Sequence, residues 1–192
     1  MGVNMKETYL NAPIEYVANL FPKDKIEEIH VFDEVRACVP WYTPITTKTS
    51  LKDINKIKVG DEVLTHTGEY HKVLGTINRL TNEPTITIII STLGFLNTTR
   101  DHPYLTKNSW KRADELTEDD YVTVESKWGF DELSENKRLQ LDYNNPQKGF
   151  LWAKILRISA GDIMLESVYN LLIDKDNSYV ARHIVVHDCG AA

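Results

Sequence analysis

The strongest pattern along the chain is Thr85-Ile-Thr-Ile-Ile-Ile-Ser-Thr, a nearly unbroken β-branched run bounded by Pro84 and Gly94. Branching at Cβ suits a pleated surface and restricts χ1 in a helix, so this run predicts a strand. Glu62-Val-Leu-Thr-His and Tyr70-His-Lys-Val flank Thr67-Gly68-Glu69, which reads as a hairpin around a glycine turn. Tyr121-Val-Thr-Val-Glu predicts a further strand, and the segments 151–158, 164–173 and 178–186 predict three more. Pro40 and Pro44 fit poorly inside a helix, so helix downstream of position 38 is confined to short pieces at 50–56 and 111–116. Residues 126–149 are polar and marked by Gly129, Asn144-Asn145-Pro146 and Gly149, the composition of a long, exposed loop that tolerates deletion.

The first 37 residues read differently. Asn11 can cap a short helix whose Ile14, Val17, Ala18 and Phe21 share one face, and Phe21-Pro22 ends it. In 24–35, Ile26 and Ile29 suit a helix while Ile29, Val31 and Val35 alternate as in a strand; helix is the expectation for the first half. No repeat of fixed period and no low-complexity tract is present.

Composition narrows the function classes. The 192 residues are 42% hydrophobic and 26% charged, which suits a globular chain with one well-buried domain plus a short appendage. The net charge of −6, with no basic cluster, argues against a nucleic-acid surface. No apolar run approaches the roughly 20 residues of a membrane span, and MGVNMKETYL has no signal-peptide core. The two cysteines, Cys38 and Cys189, make neither a disulfide framework nor a CxxC zinc site, and a reducing cytoplasm is the default compartment.

Four clusters could carry chemistry: Cys38 within Arg36-Ala-Cys-Val-Pro-Trp-Tyr-Thr43, Thr99-Arg-Asp-His102-Pro103, His187-Asp188-Cys189, and the turn Val59-Gly-Asp-Glu-Val63. Singly, each has an ordinary reading: a buried thiol, a turn histidine, a polar tail, a glycine turn. Their order along the chain favours a joint one.

Together they resemble an intein, a self-splicing domain that begins with Cys or Ser and ends in His-Asn before a Cys, Ser or Thr. Cys38 with Thr43 and Ile45 resembles the opening motif, and INKIKVGDEV (54–63) the stretch after it. NTTRDHPYLT with Trp110 and ADELTEDDYV resembles the Thr-x-x-His region, and VYNLLIDKDNSYVARHIVVHDC the closing motifs. The resemblance implies an all-β, horseshoe-like hedgehog/intein fold over 38–188, with host flanks at 1–37 and 189–192. The room between Val124 and Phe150 is too short for an inserted endonuclease domain, so the resemblance is to a mini-intein.

By that resemblance Cys38 is the first nucleophile and Cys189 the second, Thr99 and His102 activate the Ala37–Cys38 bond, and His187 with Asp188 serves cleavage at the far end. No cofactor, metal, nucleic acid, membrane or partner is implied; the domain acts on its own flanks as a monomer, in a single turnover. The chemistry suits the residues. Breaking amide resonance at Ala37–Cys38 needs a nucleophile, a grip on the bond and a proton for the departing amine. A thioester is then open to a second thiolate. Three positions depart from the family pattern: Asp188 stands where Asn is usual, Asn170 where many members have Asp, and Asn177 where many have His. Asn170 is expected to assist the later steps. Asp188 motivates a neighbouring reading, a domain that cleaves but ligates poorly. A non-catalytic β-rich module and a cysteine hydrolase built on Cys38 and His102 also remain open on the residues.

Overall fold

The computed structural model describes residues 37–90, 94–127, 140–161 and 166–188. The expected helices upstream of Cys38, and Cys189 itself, lie outside the described residues. Fifteen strands are described in chain order: β1 Val39–Pro40, β2 Pro44–Thr46, β3 Leu51–Asp53, β4 Glu62–Leu64, β5 Tyr70–Thr81, β6 Ile86–Ile90, β7 Gly94–Thr98, β8 Pro103–Leu105, β9 Trp110–Arg112, β10 Tyr121–Glu125, β11 Leu141–Asp142, β12 Phe150–Ala160, β13 Glu166–Ile173, β14 Ser178–Ala181 and β15 Ile184–His187. A small sheet has the order β1-β13-β5-β4; a large one runs β3-β2-β14-β15-β10-β12-β6-β7, with β8, β9 and β11 branching from it. The fold is all-β, as the β-branched patterning requires.

The pairings bring the two ends of the domain together. In β1, Val39 pairs with Tyr169 of β13, which sets Cys38 beside Asn170. In β15, Val186 pairs with Tyr104 of β8, which carries His187 toward the His102 turn. The β5 pattern alternates: Val73 is buried while Leu74 and Leu80 are exposed, so the odd-numbered positions face inward. Ile88, Ile90, Leu96 and Ile155 of β6, β7 and β12 are almost fully buried in the main core.

Three expectations need correction. The segment 178–186 forms two strands, because Arg182 (φ 45°) and His183 (φ 68°) make a tight turn without glycine. Other strands hold that left-handed turn: the Arg182 N–H donates to the Pro44 carbonyl at 2.7 Å, and the Glu125 N–H to the His183 carbonyl at 2.8 Å. The stretches 50–56 and 111–116 each contain only one 3-10 turn, at Ile54–Lys56 and Ala113–Glu115, with strand before it. Finally, the loop 126–149 contains β11, whose Leu141 is buried against β12 opposite Ala153. Deleting 130–146 should therefore lower thermal stability, with the loss of Leu141 alone worth about 2 kcal/mol; unchanged melting would show that Leu141 contributes nothing.

Candidate active site

Thr99 and His102 stand three residues apart because a turn requires it. The His102 N–H donates to the Thr99 carbonyl at 3.2 Å, and the Ala113 N–H to the His102 carbonyl at 2.9 Å. Such a turn brings residues i and i+3 side by side. At its start the Thr99 N–H donates to the Cys38 carbonyl at 2.9 Å, tying the turn to β1.

The Ala37–Cys38 peptide is gripped on both sides. The Cys38 N–H donates to Thr99 Oγ1 at 2.8 Å. The Asn170 side-chain amide donates from Nδ2 to the Ala37 carbonyl at 2.6 Å. Asn170 is itself held by the Leu171 N–H, which donates to Oδ1 at 2.7 Å. That bond leaves the NH2 end of the amide aimed at the carbonyl. An Asp there would present a second acceptor to an acceptor; the amide supplies a proton. From sequence Asn170 is expected to assist the later steps; in the structure its side chain lies on the Ala37 carbonyl.

Burial governs the electrostatics. It pushes the Cys38 thiol up to about 11; the Arg79 guanidinium opposes this through charge and a hydrogen bond, and Asp101 adds to it. Arg79 escaped the sequence reading, although a cation at an inward position of β5 is a legible signal. Burial also pulls His102 down to about 3, with His187 adding and the Cys38 backbone opposing. The His102 ring meets the Cys38 backbone and, edge to face at 6.1 Å, the Tyr104 ring, and its burial keeps the imidazole neutral. Both groups are neutral at pH 7.

The low His102 value has a consequence for stability. The unfolded side chain takes up a proton near pH 6.5 and the folded one only near 3. Stability should therefore fall by about 1.4 kcal/mol per pH unit as pH drops between those values, from this residue alone. His102→Ala should flatten that slope in urea titrations; an unaltered slope would mean the ring is solvated.

At the other end, the His187 ring and the Asp188 carbonyl are 3.0 Å apart through Nδ1. A carbonyl only accepts, so Nδ1 is the donor. Asp188 is buried; its Oδ2 accepts from the Ile173 N–H at 2.9 Å, and its own N–H donates to the Asn177 carbonyl at 3.0 Å. Asn177, at φ 45°, thus contributes its backbone. The Val59–Val63 turn is a structural element: Gly60 (φ 92°) sits where its N–H reaches the Val73 carbonyl. Among the described residues, no group of His, Cys, Asp or Glu is placed to hold a metal ion, and no helix is long and apolar enough to cross a membrane.

No protein-family model matches the sequence, and no curated protein does. Solved structures do. The Ssp DnaB mini-intein variant M86 is similar at 21% identity and TM-score 0.63, over 79% of this chain and 93% of that one. A DnaB intein from Synechocystis sp. PCC 6803 is similar at 19% and 0.62, over 79% and 98%. The gp41-1 intein is similar at 20% and 0.60, again over 79% and 98%. The chain has the mini-intein fold.

Proposed function

We propose that this protein is a self-splicing mini-intein spanning 38–188, which excises itself and joins 1–37 to 189–192. One observation carries the reading: a single peptide bond, Ala37–Cys38, has its carbonyl held by the Asn170 amide and its N–H held by the Thr99 hydroxyl. A structural hydrogen-bond pair has no need to bracket one bond beside a thiol and a buried, neutral imidazole.

The first step follows from the residues. Sγ of Cys38 adds to the Ala37 carbonyl carbon and the thiol proton passes to neutral His102. The oxyanion that develops faces Asn170 Nδ2–H, a donor already in place. As the C–N bond breaks, the imidazolium returns its proton to the Cys38 nitrogen, and Thr99 Oγ1 holds that nitrogen throughout. The product is a thioester and a free amine, with no net proton change. The acid form of His102 exists only within the step, since at rest the ring is neutral.

The thiolate of Cys189 next attacks the Ala37 thioester; the acyl group moves to its sulfur, and the Cys38 thiolate leaves and takes up the proton that Cys189 gave up. A carboxyl oxygen of Asp188 then attacks its own backbone carbonyl, polarised by His187 Nδ1–H; the Asp188–Cys189 bond breaks, the Cys189 nitrogen leaves with a proton, and Asp188 is left as a cyclic anhydride that water hydrolyses. The freed Cys189 amine takes the acyl group from its own sulfur, which forms the Ala37–Cys189 peptide and restores the thiol. Nothing in this sequence of steps calls for a cofactor, a metal or a second protein molecule, and the domain acts once, on its own flanks.

The intact mass of the purified chain, with and without added thiol, tests the reading. Splicing yields 1–37 joined to 189–192; cleavage alone yields fragments ending at Ala37 or Asp188. A full-length mass under all conditions would return the fold to a non-catalytic role. His102→Ala should slow thiol-induced release at Ala37 by about 10²–10⁴-fold, and Asn170→Ala by about 10²–10³-fold. Parent rates in either variant would remove that residue from the step.

A further inference from the structure

His66 follows β4 in the β4–β5 hairpin and belongs to none of the four chemical clusters, yet the structure pins it from several directions. Its backbone N–H donates to Ser178 Oγ at 3.1 Å, and its ring Nδ1 is 2.8 Å from the same oxygen. With the N–H on one lone pair, the hydroxyl proton is available to Nδ1. The residues on either side are clamped as well. Thr65 Oγ1 and Thr67 Oγ1 donate to Asp176 Oδ2 at 2.7 and 2.6 Å, and His71 Nε2 lies 3.2 Å from that oxygen.

Beyond the ring lies Trp110. Its indole meets His66 edge to face, with centroids 6.0 Å apart and planes at 85°, and meets His187 in the same manner at 5.0 Å and 78°. The indole is thus set between two imidazoles, and it packs on a small core of Leu64, Phe150, Val180 and Val185. The connection between β13 and β14 serves both ends of this row: Asp176 and Ser178 hold the His66 segment, and the Asn177 carbonyl holds the Asp188 N–H.

We propose that His66 is a positioning residue for His187, acting through Trp110 to hold Nδ1 on the Asp188 carbonyl. To keep that hydrogen bond the His187 ring must resist rotation about its own side-chain bonds, and edge-to-face neighbours restrict such rotation. Burial of His66 lowers its proton affinity, and the charges of Asp176 and His187 act on it in opposite senses, so the ring stacks as a neutral group at pH 7.

The inference rests on the splicing reading only for its kinetic arm. In full-length chain carrying Asp188→Asn, His66→Ala should slow release of 189–192 by about tenfold or more, because small misplacements of an acting group are costly. Thiol-induced release at Ala37 should stay within about twofold, and His66→Phe, which restores a ring against Trp110, should recover to within about threefold of the parent. Parent rates in His66→Ala, or equal slowing at both junctions, would overturn the proposal. Should His66→Ala fail to fold, Ser178→Ala, which releases the ring but keeps it, carries the same expectation. The second arm is independent of splicing. Imidazole nitrogen NMR of the Cys38→Ala chain should show His187 protonated at Nδ1, and His66→Ala should mix its tautomers. If no variant cleaves at all, the splicing reading has failed; an unchanged His187 tautomer would then sink the positioning role by itself.

Discussion

Cys38→Ala is expected to abolish dithiothreitol-induced release of a fragment ending at Ala37, with no residual rate above background. The reason is stoichiometric. A thioester at Ala37 needs a sulfur on residue 38, and alanine offers no side-chain nucleophile to form any ester that a thiol could intercept. The variant should fold, because Cys38 is fully buried and alanine removes one sulfur from a site that burial already makes unfavourable for a thiolate. Cleavage at Asp188 does not require Cys38 and should persist. Intact mass after overnight thiol treatment reads the result. A fragment ending at Ala37 from the variant would show that bond breaking there is ordinary hydrolysis, and the nucleophile assignment would fall.

Asp188→Asn should change the outcome from accumulated precursor or N-terminal cleavage product to spliced product. The first step uses nothing from residue 188, so the thioester should form with either side chain. The last step separates them. An amide nitrogen is a neutral nucleophile that closes to a stable imide. A carboxyl oxygen closes instead to a cyclic anhydride, which reverts unless the leaving amine is protonated. The structure adds a geometric reason. Oδ2 of Asp188 accepts the Ile173 N–H, a bond an Asn carbonyl oxygen can also accept. That would leave the Asn nitrogen at the other position, on the side of His187. The domain excised from the Asp188→Asn protein should be one water lighter than its hydrolysed form. Equal splicing by the two proteins at every pH would move the bottleneck to another residue, with Asn177 the first to examine.

What could be read from sequence was what depends on neighbours along the chain. Within the β-branched run, Ile86–Ile90 forms β6 because branching favours a pleat wherever the strand ends up. The glycine turn at Gly68 (φ 85°) joins β4 to β5 as its left-handed conformation requires. The Thr-x-x-His spacing already implies two side chains on one turn. The mini-intein resemblance rested on these local motifs in order, and the fold agrees with it.

Tertiary structure decided what depends on residues far apart. Asn170 and Ala37 are 133 positions apart, and only the β1–β13 register places the amide on the Ala37 carbonyl. His102 is legible as a histidine beside a proline, but its depressed proton affinity comes from complete burial by strands of other segments. The break between β14 and β15 carries no glycine signal, since the left-handed turn is held by Pro44 and Glu125 rather than by its own residues. Local propensity sets which backbone shapes are cheap; sheet register sets which side chains meet and how dry they are. Here the second determines the chemistry, because proton affinities and carbonyl polarisation follow from burial and from partners that lie far away in sequence.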